Sequence, residues 1–409
     1  MEIAMKNVKL SFRIQEMPFF TIAHRAGRKT LELQMYDGAL TCSVMYDYAR
    51  QPLDLNAEVQ IGDKVDLILM PHRIELYVNG ALMDEEWPSG SRLFSQDDAF
   101  FPEFAIETMP YEEEKKEIPC VLGEFTNAEG WYPGGGVFVG DCMPYRKDDE
   151  YHVLYLKDRH HHRSKWGLGA HQWDHISTKD FVTWQIHPMA VPITDPTEGS
   201  VCTGSWIRKG EKEYLFYTIR MGAGLPAPIR RSISADGYHF ERDEDFGFVL
   251  GDAYSASNSR DPKVVFGEDG LFHMFITTRL NKEQKYKGCL AHFVSEDLDT
   301  WTDTGKPIYV SDDMTEPECP DYFVYHGKYY LIFSLHGKAH YQISDRPFDG
   351  FEEPKNPIIP CESVPKGAIW GDEIIFTGFK RMSGYAGAMT FKKASAGPSG
   401  ELIFETAKK

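Results

Sequence analysis

Three acidic residues of the chain share one local pattern. Asp141 opens "DCMPYRKDDEYHVLYLKD", Asp261 opens "DPKVVFGEDGLFHMFITT" and Glu318 opens "ECPDYFVYHGKYYLIFSL". In each, a proline follows the acid closely, a polar turn comes next, and an aromatic and aliphatic run closes the segment. Carboxylates brought to one point repel, so their pKa values split. That suits glycoside cleavage, in which one acid gives a proton to the leaving oxygen and another attacks or activates water. Three acids also suit Ca²⁺ or Mg²⁺. The plainest alternative is that acids beside proline shape turns. Spacing alone leaves all three readings open.

The elements that would position these acids repeat. Two further segments, "CTGSWIRKGEKEYLFYTIR" from Cys202 and "KGAIWGDEIIFTGFK" from Lys366, have the same strand–turn–strand shape without the acid. A second signature lies downstream: Thr178 and Asp180 precede Trp184, Ser234 and Asp236 precede Phe240, and Ser295 and Asp297 precede Trp301 at matching offsets, with a looser copy in "ISDRPFDGFE" from Ile343. Ser, Thr and Asp side chains close tight turns on local backbone, and the aromatic then packs beneath. The stretch "HISTKDFVTW" also offers helix-capping residues, but its β-branched and aromatic neighbours favour strands. A unit returning every ~50–60 residues belongs to a solenoid or a propeller, and antiparallel strands in each unit select the propeller. Five units predict five blades. An acid at the start of a blade's first strand points into the mouth of the central channel while the rest of the blade stays buried.

Residues 1 to 118 read differently. "KTLELQMYDGALTCSVMYDY" and "DKVDLILMPHRIELYVNGALMDEEWP" alternate apolar and polar residues, and Asn79-Gly80 signals a type I′ hairpin. The prediction is an all-β chain: a small antiparallel β-sandwich over residues 1–118 and a five-bladed propeller over residues 119–409. A linker with a charge run at Glu112–Glu117, read as solvated surface, ends at Pro119.

Bulk properties narrow the function. With 409 residues, 42% hydrophobic and 13% aromatic, the chain supports packed cores. A net charge of −18, spread along the chain, disfavours a phosphate backbone as partner. No apolar run reaches the ~18 residues of a membrane span, and the first residues lack the apolar core of a signal peptide. The seven cysteines, Cys42, Cys120, Cys142, Cys202, Cys289, Cys319 and Cys361, form no CxxC, which fits free thiols and a cytoplasmic location.

From about Val121 to Lys393 the chain resembles the propeller domain of glycoside hydrolase family 32, the invertase, levanase and inulinase group. The resemblance rests on "GDCMP" at Gly140, "SRDPKVV" with Arg260, Asp261 and Pro262, and "PECPDYF" with Glu318 and Cys319, in that order. Between them, "KWG" with Trp166, "WDHISTKDFVTW" and "CTGSW" are similar to intervening family segments. The resemblance implies Asp141 as nucleophile, Glu318 as general acid/base and Asp261 as transition-state stabiliser. It implies that Arg260 orients Asp261, that Cys319 tunes the surroundings of Glu318, and that Trp131, Trp166 and Thr203 wall the sugar site. Three departures stand out. Gly140 precedes Asp141 where the family usually has asparagine. Leu156 follows Tyr155 where it usually has glutamine. The sandwich precedes the propeller instead of following it. These leave the three acids in place and bear on the substrate.

Other segments have plainer readings. "RHHHRSKW" from Arg159 suggests a metal cluster, but adjacent histidines converge on one ion only across a tight turn, so a sugar-contacting or exposed loop is preferred. "WYPGGGVFVGD" lacks the Lys-Ser/Thr of a phosphate loop. Gln172, Trp173 and His175 divide evenly between packing and ligand contact. "RIELYVNG" from Arg73 gives the sandwich a concanavalin-like or laminin-G-like look, with sugar binding, packing on the propeller and homo-oligomer contact all open. The reading is a retaining, β-fructofuranosidase-like hydrolase of a small oligosaccharide, with no cofactor and no metal. The alternatives are a family 43-like inverting arabinofuranosidase or xylosidase, a related phosphorylase, and a non-catalytic sugar-binding propeller.

Overall fold

A computed structural model of the protein describes residues 7–15, 19–25, 27–46, 52–70, 73–87, 94, 105–109, 118–121, 130–133, 136–195, 197–382 and 384–405. The expected charge run Glu112–Glu117 lies outside them. Strands that alternate apolar and polar residues bury one face each, and here they do so as two stacked sheets. One sheet runs in the order Ala81–Glu86, Ile74–Val78, Lys64–Leu69, Asn7–Arg13, Ala105–Met109, and the other in the order Phe19–Arg25, Arg28–Tyr36, Ala39–Val44, Leu53–Glu58. Leu10, Leu33, Leu55, Leu67 and Leu76 meet in the core between them. Asn79 and Gly80 both take positive φ (51° and 83°) and join strands paired at Val78 and Ala81, as a type I′ turn requires.

The rest of the chain forms five antiparallel blades. Their first strands are Phe138–Lys147, Glu198–Lys209, Arg260–Phe266, Glu318–Tyr325 and Lys366–Trp370. Each first strand packs on the next, and the fifth returns to the first, which closes a ring. The strand Ile118–Val121 runs across the expected division at residues 118 and 119 and pairs with Thr183–Val191 at the edge of blade 1. Turn chemistry accounts for the blade corners. Thr178 Oγ1 accepts the Phe181 N–H at 2.9 Å, while Asp180 Oδ1 accepts those of Val182 and Thr183 at 2.8 and 2.7 Å. Ser234 with Asp236, and Ser295 with Asp297, make the same bonds. The residue after each Asp turns left-handed: Phe181, Gly237 and Leu298 have φ of 60°, 79° and 71°. Trp184 and Phe240 are buried beneath their turns, so the stretch around Thr178 forms strands and a turn, not a helix.

The sandwich meets blade 1 through its edge strand Ala81–Glu86. Glu85 is fully buried there, with Lys157 at 2.8 Å, Arg159 at 3.3 Å and Arg73 at 3.9 Å. Ser164 donates to Glu86, and Trp87 joins a core cluster with Leu156 and Ala170. Burial alone would push the Glu85 carboxyl up, but the three cations, Lys157 foremost, outweigh it and hold it at about 2. Its contribution to stability is therefore present above the ordinary glutamate range and is lost as pH falls through about 2. Removing the charge leaves buried cations without their counter-ion. Glu85→Gln is expected to lose about 3–5 kcal/mol in urea unfolding at pH 7, and an unchanged midpoint would refute this account of the docking.

Candidate active site

Four of the five first strands slip register at the same level. The shifts fall between Val139 and Cys142, Val201 and Gly204, Arg260 and Lys263, and Glu318 and Asp321. An extra residue in one strand breaks the pleat and re-aims a side chain. Within these bulges or at their edges stand Asp141, Thr203, Asp261, Glu318 and Cys319. Asp261 and Cys319 have φ of 56° and 52°, a left-handed backbone that few non-glycine residues adopt and that collects at functional sites.

The side chains converge. The Cys319 N–H donates to Asp261 Oδ2 at 3.1 Å, and its thiol lies 3.4 Å from Asp141 Oδ2. Thr203 donates to Asp261 Oδ1 at 2.6 Å. Arg260 Nη2 lies 2.7 Å from both Glu318 Oε1 and Glu316 Oε2, with its Nε 3.6 Å from Asp261 Oδ2. Glu316 is fixed in turn by Asn258 Nδ2 and Arg279 Nε, each at 2.7 Å. Asp261 is nearly closed off, its side chain 5% exposed, whereas Glu318 is 52% exposed and stands at the mouth.

Electrostatics follow from this packing. Burial pushes the Asp141 carboxyl up to about 6, and the neighbouring charges of Asp261 and Glu318 add to it. Hydrogen bonds from Tyr385 and Cys319 pull the other way. Arg260 loses solvent but is held firmly charged by Asp261, Glu316 and Glu318. The Cys319 thiol is raised well above its ordinary value by burial and the adjacent acids, so it stays protonated and can donate. Such a centre presents one carboxylate held by a phenol and a thiol, one locked carboxylate and one solvent-facing carboxyl, the parts that two-step glycosyl transfer needs.

Several residues expected from the sequence stand differently from that expectation. Thr203 is buried behind Asp261, and its hydroxyl serves that acid instead of lining a wall. Cys319 links Asp141 to Asp261, while Glu318 is held by Arg260. Arg260 spends its fork on Glu316 and Glu318 and faces Asp261 only through Nε. Trp131 exchanges backbone hydrogen bonds with Met389 and sets its ring edge-on to Tyr155. Trp166 falls in the short helix Ser164–Gly167, its side chain outside the described residues. Gln172 accepts the Ile193 N–H and Trp173 donates to the Cys202 carbonyl, so both are packing residues. The histidines from His160 spread apart: His160 bonds the Glu85 carbonyl, His161 the Tyr385 carbonyl, and the His162 ring packs at a tilt against Tyr385.

His152, His175 and His187 bring ring nitrogens within 4.8 Å of one another inside blade 1. His152 and His175 bond each other at 2.9 Å, and Ser177 bonds His187 at 2.8 Å. The same pair recurs in blade 3 as His273 and His292 at 2.8 Å, where Phe348 stacks on it. This recurrence marks the pair as a feature of blade packing. Sequence reading missed Tyr385, Asn258 and Arg279. Glu316 was visible as the first acid of "MTEPEC", but the other three sit in turns or strand ends with no repeated signal.

Residues 142–349 match the family model described as "Glycosyl hydrolases family 32 N-terminal domain". The match begins one residue after Asp141 and includes Thr203, Arg260, Asp261, Glu318 and Cys319. Among curated relatives, sucrose-6-phosphate hydrolase of Escherichia coli is 30% identical over 46% of this chain and 39% of its own length. That of Vibrio alginolyticus is 29% identical over 48% of this chain and 40% of its own length. The matched region thus spans about two fifths of these relatives. Among solved structures, fructan 1-exohydrolase IIa from Cichorium intybus aligns at 16% identity with a TM-score of 0.55, covering 69% of this chain and 61% of that one. Sucrose-6-phosphate hydrolase from Lactobacillus gasseri aligns at 15% identity with a TM-score of 0.53, covering 66% and 62%. At such identities the likeness speaks for the fold.

The raised Asp141 carboxyl gives a stability prediction. A carboxyl whose folded pKa lies above its unfolded value favours the fold while protonated, and that advantage is lost as pH rises through about 6. Asp141→Asn is therefore expected to be more stable than the wild type at pH 7.5 by on the order of 1–2 kcal/mol. The gap should close near pH 4. Thermal unfolding at the two pH values measures it, and a variant less stable at pH 7.5 would contradict the assigned desolvation.

Proposed function

The chain belongs to glycosyl hydrolase family 32, and we propose that it is a retaining hydrolase of a small fructofuranoside. The observation that carries this reading is the connected group of Asp141, Cys319 and Asp261, with Glu318 standing beside it on Arg260. Asp141, ionised above about pH 6, attacks the anomeric carbon while Glu318 gives its proton to the leaving oxygen. A covalent glycosyl-enzyme results. Glu318 then takes a proton from water, the water oxygen attacks the same carbon, and Asp141 leaves as the carboxylate. Asp261, fixed by Thr203 and the Cys319 N–H, offers its remaining acceptor capacity to sugar hydroxyls. Arg260 sets the direction of Glu318. Trp131 and Trp166 are assigned to the rim of the sugar site.

Relatives named for sucrose 6-phosphate support a disaccharide-sized substrate. The sandwich is read as a support for the catalytic propeller, whose blade 1 takes in the strand Ile118–Val121. A cytoplasmic location agrees with the free state of Cys42, Cys142, Cys202, Cys289, Cys319 and Cys361. Among the described residues no helix is long and apolar enough to cross a membrane.

Stereochemistry tests the mechanism. Sucrose, sucrose 6-phosphate and 1-kestose form the substrate panel, and NMR before mutarotation is expected to show first-formed fructose of retained configuration. Glu318→Ala should lower kcat by about 10²–10⁴-fold, with azide restoring part of it by replacing the missing base. Asp141→Asn should abolish turnover on every substrate. A first product of inverted configuration would transfer the protein to the inverting, family 43-like reading.

A further inference from the structure

Gly140 and Tyr385 are 245 positions apart in the chain and touch at the centre of the site. A Cβ on Gly140 would stand 2.6 Å from the Tyr385 hydroxyl and 3.0 Å from its Cζ. The tyrosine sits in the hairpin between Glu373–Arg381 and Gly387–Ala396 of blade 5. Its hydroxyl donates to Asp141 Oδ1 at 2.9 Å and accepts the Asp141 N–H at 3.2 Å. One oxygen thus ties the backbone of Asp141 to its own carboxylate. The ring is clamped by His162, with centroids 3.8 Å apart, and by His171 at 5.0 Å, while Phe379 closes the far edge at 5.4 Å.

We propose that Tyr385 is the positioning residue of Asp141, and that Gly140 is glycine because the tyrosine hydroxyl occupies the space a side chain there would fill. The inference rests on Asp141 being the nucleophile. A carboxylate that must attack along one line loses rate whenever its torsions wander. Here Oδ1 is held by a full hydrogen bond, and Oδ2 by a thiol that bonds only weakly. The bond favours the ionised form of Asp141 against the burial and charge that oppose it. It also meets the negative charge that returns to this carboxylate when the glycosyl-enzyme breaks down.

The groups facing Asp141 are Asp261 from blade 3, Glu318 and Cys319 from blade 4, Cys202 from blade 2 and, behind Tyr385, His162 and His171. Burial pushes His162 down to about 4 and Cys202 up to about 12, so neither changes charge near pH 6.

The test pairs two substitutions that break one contact from opposite sides. Tyr385→Phe keeps the ring and its packing but removes the hydroxyl. Gly140→Ala keeps the hydroxyl but displaces it. Each is expected to lower kcat by about 10- to 100-fold, with KM changed by less than about threefold. Each should also move the acid limb of kcat/KM upward by on the order of one pH unit. The double variant should be no worse than the poorer single one, because both act on the same bond. ¹³C NMR titration of the Asp141 carboxyl, assigned by its loss in Asp141→Asn, reads the same shift without substrate. Unchanged kcat and an unmoved titration in Tyr385→Phe would overturn the proposal. So would additive losses in the double variant. If Asp141→Asn keeps its turnover, the nucleophile reading fails by itself, while the NMR titration still decides whether Tyr385 holds that carboxylate.

Discussion

Like charges held at one point set the terms for everything around them. Two carboxylates ~4 Å apart repel by on the order of 4 kcal/mol at an effective dielectric near 20, and this centre gathers three, with Glu316 behind them. Each carries its own donor. Asp261 has the Thr203 hydroxyl and the Cys319 amide, Asp141 has the Tyr385 hydroxyl, and Glu318 shares the Arg260 fork with Glu316. Hydrogen bonds to charged groups are worth about 1.5–3 kcal/mol apiece, enough to offset the repulsion when all are made. Close by, the buried Lys366 donates to the Gly204 carbonyl, and its positive charge acts on Cys319 against that of the acids, while Lys263 is neutralised by Asp321.

Backbone geometry makes that gathering compatible with packed blades. Side chains along a strand alternate between two faces, so a regular first strand cannot bury its length and also turn an acid toward the mouth. The extra residue in blades 1 to 4 resolves the conflict at the cost of left-handed backbone at Asp261 and Cys319. Blade 5 takes the other route. Its first strand, Lys366–Trp370, pairs in regular register with Glu373–Arg381, and its contribution arrives from the far hairpin as Tyr385. Four blades thus supply functional groups through bulges, and the fifth through a loop that reaches back over the ring closure.

What could be read from the sequence follows the same division. The blade count, the corner turns and the three acids are written in short windows, because a Ser or Thr with an Asp two residues on closes its own turn, and a proline beside an acid marks a strand start. The bulges were not legible, since register is a property of two strands. Thr203 shows the limit: "CTGSW" marked the right place, but only the turn of the backbone aims its hydroxyl at Asp261. Cys319 was tied to Glu318 because they are adjacent, yet neighbours along a strand point apart, and its partners lie in blades 1 and 3. Tyr385 gave no signal, because its meaning depends on a missing side chain at Gly140. In "MDEEW", alternation alone makes Glu85 an outward-facing acid, and that outward face is the one that meets blade 1.

The placement of the sandwich gains a physical reason from the same contacts. A hairpin tip is among the more mobile parts of a fold, and a tyrosine delivered from one cannot fix a carboxylate unless the tip is itself fixed. The loop from Arg159 to Ser164 does this, through the bond of His161 to the Tyr385 carbonyl and the tilted packing of His162 against its ring. That loop is irregular too and needs an anchor of its own. It finds one in the buried Glu85 carboxylate, which holds Arg159 beside Lys157, and in the Glu85 carbonyl and Glu86 carboxylate, which hold His160 and Ser164. The anchor lies on the edge strand of a sheet whose core is separate from the propeller's. Among the described residues, the sandwich can therefore brace the tyrosine that holds Asp141 without contributing a group to the site.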